Sequence, residues 1–182
     1  MYSSEAIEIQ RDVKVLTIPE GIDEVLTKGE IVTLYQSLGG SYTVVTERGY
    51  MVRIAGTDAD AIGKKPIVLD HLKEGYDKET IEHNCWEFMK TVYDPEIPIN
   101  IVELGLVYDC QVSSQEEDKH HVDVAMTLTA PGCGMGPILQ RDVEMGIRTI
   151  PGVESVKVEI VFEPPWSREM MSEAAQLQLG ML

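Results

Sequence analysis

The chain has 182 residues, of which 43% are hydrophobic and 25% are charged, so it can form one domain with an appendage or two small domains. This composition is typical of a folded soluble protein and excludes a disordered or collagen-like one. The 15 Lys and Arg against 31 Asp and Glu give a formal net charge of -16. Because such a chain repels phosphate backbones and anionic lipid headgroups, nucleic acids and membrane surfaces are poor candidate partners.

The start of the chain and its cysteines both favour a cytoplasmic location. The sequence MetTyrSerSerGluAlaIleGluIle lacks the basic and apolar regions of a secretion signal, and no apolar run approaches the roughly 20 residues of a membrane-spanning helix. The three cysteines, Cys85, Cys110 and Cys133, are odd in number and widely spaced. This spacing argues against a disulfide framework and against a structural zinc site.

Residues 1–75 predict a small β-rich domain followed by a connector. Four short runs alternate between apolar and polar residues, with glycine-containing turns at 38–41 and 47–49. The runs are ValLysValLeuThrIle, GluIleValThrLeuTyr, TyrThrValValThr and TyrMetValArgIle. We expect a meander curled into a barrel-like or half-sandwich shape. Because residues 12–61 contain neither cysteine nor histidine, we interpret this half as a scaffold or docking module.

Residues 76–182 predict a compact α+β sandwich with the order helix, strand, strand, helix, strand, followed by a Trp-containing tail and a C-terminal helix. Asp77 is suited to cap the first helix, and Pro137 suits the first turn of the second. The strands flanking the second helix are expected to be parallel, since a crossover helix packs on the sheet between parallel strands. Ser167 is suited to cap the last helix. Its expected apolar face consists of Met170, Ala174, Leu177 and Met181.

The histidines are interpreted as structural or solvated residues. His120 and His121 lie in the polar stretch 113–121, which is predicted to connect two strands as a hairpin, so we expect both to be solvated. Metal binding by this pair would need further ligands held rigidly. A thiol hydrolase needs a histidine oriented toward its cysteine, and no local spacing supplies one for Cys133.

The stretch with the most chemical content is residues 127–137, ThrLeuThrAlaProGlyCysGlyMetGlyPro, between a predicted strand and a predicted helix. Its glycines allow backbone conformations in which successive amides converge on a ligand. The partial positive charge of a helix N-terminus favours a thiolate, which is both a nucleophile and a metal ligand. We therefore predict a functional thiol at Cys133, with Thr129, Gly132 and Gly134 around it. The alternative is a tight turn with an incidental small residue.

A second stretch, residues 94–106, contains two prolines that stiffen it. Asp94, Glu96 and Glu103 place three carboxylates among apolar residues there, and carboxylate oxygens can bind iron or a cationic group. Equally, Asp94 can cap a turn and Glu103 can accept hydrogen bonds from backbone amides. The spacing leaves these roles open, and it does not establish that this stretch meets Cys133.

Taken together, three segments resemble the SufT and PaaD group of iron–sulfur cluster assembly factors. They are AspProGluIlePro followed by IleValGluLeuGlyLeuVal, then ThrLeuThrAlaProGlyCysGlyMetGly, then PheGluProProTrp. The resemblance covers about residues 78–182, and GlyCysGlyMetGly with a β-rich extension is more similar to SufT than to the shorter PaaD. Relatives usually have a Pro-x-Cys-Pro-like loop, from which Gly134 departs.

This resemblance implies a cytoplasmic maturation factor of the SUF system, not an enzyme, that helps iron–sulfur clusters reach apo-proteins. Its partners would be the assembly machinery and apo client proteins. The functional cysteine would be Cys133, which is also the candidate metal ligand, and the acidic motif would supply Asp94, Glu96 and Glu103. These residues form the candidate cluster or client site.

The number of cysteines limits how a cluster can be held. A cluster usually takes four thiolates, whereas this chain offers one exposed candidate and two cysteines that are predicted to be buried. We therefore expect no stably bound cofactor. Either two copies share a transient cluster as a homo-oligomer, or the protein brings donor and recipient together. A thiol-dependent redox or acyl-transfer enzyme and a non-catalytic adaptor are the alternative functions.

Overall fold

The computed structural model describes residues 5–38, 41–94, 96–132 and 134–181, and the chain divides into two units between Val68 and Leu69. The sequence analysis placed this boundary after residue 75. Leu69 packs against the core of the second unit. The Asn84 side chain accepts a hydrogen bond from the Lys73 amide at 2.8 Å and donates one to the Lys73 carbonyl at 3.0 Å. These contacts join residues 69–73 to the second unit.

Six antiparallel strands form the sheet of the first unit: β1 Glu5–Glu8, β2 Val13–Ile18, β3 Asp23–Leu26, β4 Ile31–Leu38, β5 Ser41–Thr46 and β6 Met51–Ile54. They lie in the order β1-β4-β5-β6-β2-β3. Four of them coincide with the predicted runs. The two edge strands, β1 and β3, were not predicted because they are short and largely polar. The predicted turn at Gly39 and Gly40 lies outside the described residues.

The first unit is an open sheet within the described part of the chain. Strands β1 and β3 each pair with one neighbour, β4 and β2 respectively, so the predicted barrel-like shape is not confirmed. Closure of a barrel would require these two edges to pair with each other. A 3-10 helix, Gly56–Ile62, follows β6. Arg11 fixes it through ion pairs of 2.7 Å with Asp58 and Asp60.

The second unit contains the elements α1 Lys78–Met89, β7 Val107–Glu116, β8 Lys119–Met126, α2 Gly136–Arg148, β9 Val153–Ile160 and α3 Glu173–Gln178. Its sheet has the order β7-β8-β9. Strand β7 is antiparallel to β8, and β9 is parallel to β8, so α2 is the predicted crossover helix. The α+β class is therefore confirmed. Within the described ranges, no helix has the length and apolar character needed to span a bilayer.

One apolar core holds the second unit together. Asp77 caps α1, because its Oδ1 accepts a hydrogen bond from the Thr80 amide at 3.0 Å, as predicted. Helix α1 packs an apolar face against β7, and α2 packs one against β9. The buried residues of these elements include Ile81, Cys85, Met89, Cys110, Val112, Val122, Val124, Met126, Leu139, Val143 and Ile147.

The hairpin between β7 and β8 is tighter than the sequence analysis predicted. Glu116 pairs with Lys119, so both strands extend into the polar stretch. His120 therefore lies inside β8 and is only 4% exposed, with its Nε2 hydrogen-bonded to the Tyr76 carbonyl. His121 is half-buried, and its Nδ1 lies 2.6 Å from Ser155 Oγ. The expectation of a solvated side chain is wrong for His120, because strand pairing buries it, whereas His121 keeps part of its surface exposed.

The C-terminal helix begins later than the sequence analysis predicted. Ser167 precedes a short 3-10 helix, Arg168–Met170, and makes no side-chain cap. The cap of α3 is Ser172, whose Oγ accepts a hydrogen bond from the Ala175 amide at 3.1 Å. The buried residues of this region are Met171 and Ala175, whereas Leu177 is 66% exposed. The predicted apolar face is therefore wrong, because the buried residues lie one position after the predicted Met170 and Ala174.

The third strand of the sheet ends earlier than the alternation of Val156, Val158, Ile160 and Phe162 predicts. Strand β9 stops at Ile160, and Phe162 lies beyond it with 48% of its surface exposed. The amide of Val161 still donates a hydrogen bond to the Met126 carbonyl, at the last paired position of β8, and the chain leaves the sheet after it. Phe162 therefore continues the alternation of the sequence without belonging to the strand.

Candidate functional site

Three segments of the second unit meet at one end of its sheet. They are the acidic loop (residues 94–106), the glycine loop (residues 127–137) and the C-terminal segment (residues 161–172). The Thr127 amide donates a hydrogen bond of 2.8 Å to the Leu106 carbonyl, and the first amide of the C-terminal segment bonds to the last residue of β8. The structure therefore brings the end of the acidic loop and the start of the glycine loop together, which the spacing left undecided.

The glycine loop begins inside the core and then reaches the surface. Thr127 and Leu128 are buried, Thr129 is half-buried, and residues 130–132 and Gly134 are exposed. Gly132 has the left-handed φ of +79°, which a residue with a side chain rarely adopts. Cys133 lies outside the described residues. The chain therefore carries its predicted thiol between two exposed glycines.

The glycine loop runs into the start of α2. Met135 is at the N-cap position and offers no side-chain hydrogen bond to the first turn, which contains no acidic residue. Pro137 lies in that turn, as predicted. Because no described side chain caps this end, the partial positive charge of the helix N-terminus faces the glycine loop. Such a field favours the ionised form of a nearby thiol.

The carboxylate of Asp94 holds a turn in the acidic loop. Asp94 is only 5% exposed, and its Oδ1 accepts hydrogen bonds of 2.9 Å from the amides of Glu96 and Ile97. The Glu96 side chain itself is exposed. Of the two roles that the sequence left open for Asp94, these contacts favour the turn cap.

The carboxylate of Glu103 is bound by a residue that the sequence analysis did not identify. The Ser172 hydroxyl donates a hydrogen bond to Glu103 Oε2. The amide of Glu103 donates to Asn100 Oδ1 at 2.9 Å, in an Asx turn. The Asn100 turn has a local signal, because an Asn side chain commonly bonds to an amide two or three residues on. Ser172 has no such signal, since it lies 69 residues along the chain from Glu103.

The described part of the chain does not offer a complete metal site. Within it, no group of three or more His, Cys, Asp or Glu side chains is arranged to hold a metal ion. Asp94 and Glu103 each already accept hydrogen bonds from neighbouring groups.

The other two cysteines belong to the core. Cys85 on α1 and Cys110 on β7 are free thiols, and both are buried. The hydrogen bond with Cys110 and burial among apolar side chains raise the pKa of the Cys85 thiol well above its ordinary value. Cys85 is therefore a neutral packing residue, as the sequence analysis expected.

The acidic loop and the glycine loop fall within the part of the chain that matches a known protein family. The family model described as iron-sulfur cluster assembly protein matches residues 82–160. The Fe-S protein maturation auxiliary factor of Porphyromonas gingivalis is 44% identical over 101 residues, covering 56% of this chain and 92% of that protein. The Fe-S protein maturation auxiliary factor SufT of Staphylococcus aureus is 44% identical over 89 residues, covering 49% of this chain and 97% of that protein.

A solved structure supports the same assignment. The domain of unknown function DUF59 from Bacillus anthracis has a TM-score of 0.50 and 37% identity, and the match covers 58% of this chain and 96% of that one. The second unit thus has the α+β fold of this class of domain. The chain belongs to the iron–sulfur cluster assembly protein family, in which it is a SufT-like factor. The predicted resemblance is confirmed.

Proposed function

We propose that this protein is an accessory factor that helps iron–sulfur clusters reach apo-proteins through the thiol of Cys133. The observation that carries this proposal is the exposed glycine loop at the uncapped start of α2. The names of the related maturation factors support it. Its partners are the cytoplasmic assembly machinery and apo client proteins, and the cluster is its cargo.

The chemistry is ligand exchange on the cluster. The Cys133 thiolate replaces one ligand of an incoming cluster iron, and the client's own thiolates then replace Cys133. A cluster usually takes four thiolate ligands, and two carboxylates of the acidic loop, Asp94 and Glu103, already accept hydrogen bonds. The remaining ligands therefore come from the donor and client proteins, or from a second copy of this chain. Asp94 and Glu103 hold the acidic loop through their hydrogen bonds, and Glu96 is exposed on that loop.

The positions of the histidines argue against a thiol enzyme as the alternative. His120 and His121 lie at the hairpin end of β8, whereas the glycine loop leaves the opposite end of the same strand. Six residues of extended chain separate His121 from Thr127, which is roughly 20 Å. A histidine that activates a cysteine must lie within hydrogen-bond distance of it. The separation from the start of the glycine loop therefore argues against either histidine of β8 as the activating base.

The test is Cys133→Ser in cells that depend on an iron–sulfur client enzyme. We expect client activity to be lost while the melting temperature of the purified protein hardly changes, because a surface substitution alters stability by about 0.5 kcal/mol or less. Cys110→Ser is the matched control. It should lower stability, since it buries a hydroxyl, yet leave clients active wherever the protein stays folded. Normal client activity with Cys133→Ser would refute the proposal.

Anaerobic reconstitution separates the two ways of handling the cluster. Purified protein is mixed with iron, sulfide and thiol, and its visible absorption and mass are recorded. A labile chromophore that appears with a dimer, and that Cys133→Ser abolishes, indicates a cluster shared by two copies. Absence of a chromophore, together with a client complex that Cys133→Ser weakens, indicates that donor and recipient are brought together instead.

A further inference from the structure

We infer that Ser172 is a positioning residue that holds Glu103, and with it the base of the glycine loop, through the C-terminal segment. This inference rests on the proposed function only in taking the glycine loop to be the part that acts on the cluster. The contacts themselves stand without it. They join two parts of the chain that are 69 residues apart in sequence.

The C-terminal segment contacts three consecutive residues of the acidic loop. At Glu103, Ser172 donates its hydroxyl to the carboxylate and its amide to the carbonyl, the latter at 2.9 Å. At Leu104, the carbonyl accepts a hydrogen bond of 2.7 Å from Trp166 Nε1. At Gly105, a Cβ atom would lie 2.2 Å from the Met170 carbonyl oxygen. The acidic loop is therefore held at successive positions by one segment.

The C-terminal segment is itself attached to the sheet. The Tyr108 hydroxyl on β7 donates a hydrogen bond of 2.7 Å to the Pro164 carbonyl. Met171, next to Ser172, is buried in the core, and Trp166 packs against that core from its edge. These contacts give the segment a fixed position from which Ser172 can act on Glu103.

The position of Glu103 is passed on to the glycine loop by the backbone. The amides of Leu104, Gly105 and Leu106 bond to carbonyls within the acidic loop, and the Leu106 carbonyl accepts from Thr127. Thr127 is the first residue of the glycine loop and is buried. A shift at Glu103 therefore reaches the residue from which the chain turns toward Cys133.

Serine suits this position because it must donate and accept at once. Its hydroxyl donates to the Glu103 carboxylate, and the same oxygen accepts from the Ala175 amide at 3.1 Å to cap α3. A hydroxyl has one donor hydrogen and two acceptor lone pairs. Ser172→Thr keeps both functions. Ser172→Asp keeps the cap but cannot donate to a carboxylate, so it separates positioning from capping.

The test measures backbone hydrogen exchange of the full chain at the two loops. In Ser172→Asp we expect peptides covering residues 101–106 and 127–129 to exchange about tenfold faster or more, the factor that corresponds to loss of one hydrogen bond to a charged group. Ser172→Thr should exchange like the wild type. Ser167→Ala is the matched control, because Ser167 makes no side-chain cap, and it should also match the wild type. Unchanged exchange in Ser172→Asp would overturn the inference.

A second variant tests the contact between the same two segments if Ser172→Asp does not fold. Trp166→Phe removes the Nε1 donor to the Leu104 carbonyl, together with part of the aromatic packing surface, so it should accelerate exchange in the same acidic-loop peptide. Client activity then tests the functional part. We expect Ser172→Asp to lower it and Ser172→Thr to preserve it. If Ser172→Asp is fully active while Cys133→Ser is inactive, Ser172 does not affect client activity and the functional part is overturned. If Cys133→Ser is fully active, the proposed function is refuted, and hydrogen exchange alone decides whether Ser172 positions Glu103.

Discussion

Replacement of Gly105 by alanine should destabilise the second unit more than a glycine substitution ordinarily does. Gly105 has a φ of +72°, and an alanine in this left-handed region costs roughly 1–2 kcal/mol. The added Cβ would also lie 2.2 Å from the Met170 carbonyl oxygen. That atom belongs to the backbone, so no rotamer change relieves the overlap. Overpacking of this kind costs about 1–3 kcal/mol, and we expect a total near 3 kcal/mol.

Gly180→Ala is the matched control for this prediction. Gly180 has a nearly identical φ of +70°, and no described atom lies within 4 Å of its added Cβ. It should therefore show only the conformational cost of roughly 1–2 kcal/mol. The difference between the two variants isolates the contact between the acidic loop and the C-terminal segment.

The assay is urea unfolding followed by tryptophan fluorescence. Both tryptophans, Trp86 and Trp166, lie in the second unit, so the signal reports that unit without interference from the first. The urea curves should show a loss of about 3 kcal/mol in the free energy of unfolding. In a thermal scan the same loss corresponds to a fall in melting temperature of roughly 10–20 °C for a domain of this size. If Gly105→Ala loses no more stability than Gly180→Ala, the C-terminal segment is not packed against the acidic loop as described.

Three further predictions concern the cysteines and the domain boundary. Alkylation at neutral pH, read by mass spectrometry, should modify Cys133 well before Cys85 or Cys110, and faster labelling of either buried thiol would contradict the site assignment. The pKa of the Cys85 thiol is raised in the folded state, so its contribution to stability is complete below the unfolded-state pKa of about 8.5 and is lost as pH rises above it, by about 1.4 kcal/mol per pH unit. Cys85→Ala should therefore make the free energy of unfolding fall less steeply with pH in the alkaline range. An unchanged dependence on pH would exclude Cys85 as its source. A fragment beginning at Leu69 should unfold cooperatively with higher stability than one beginning at Gly75, which lacks the Leu69 contact and the Lys73 hydrogen bonds; equal stability would place the boundary at residue 75.

Local patterns in the sequence determined most of the elements of this protein. The alternation of apolar and polar residues predicted β2 and β8, because a strand turns successive side chains to opposite faces. The cap at Asp77 and the proline at the start of α2 were readable because capping acts within one turn of a helix. The glycine loop and the acidic loop were likewise predicted from composition, because one has several glycines around a cysteine and the other has prolines and carboxylates among apolar residues.

The tertiary structure decided what these local patterns could not. His120 is polar and lies in a charged stretch, yet pairing of the whole strand buries it. The last helix is capped by Ser172 and not by Ser167, because Ser172 must also reach Glu103 in a distant segment. The contact between Glu103 and Ser172, and the meeting of Leu106 with Thr127, depend on how the chain folds back upon itself. Hydrogen bonds across such separations leave no periodicity in the sequence, so only the folded chain shows which residues build the surroundings of the glycine loop.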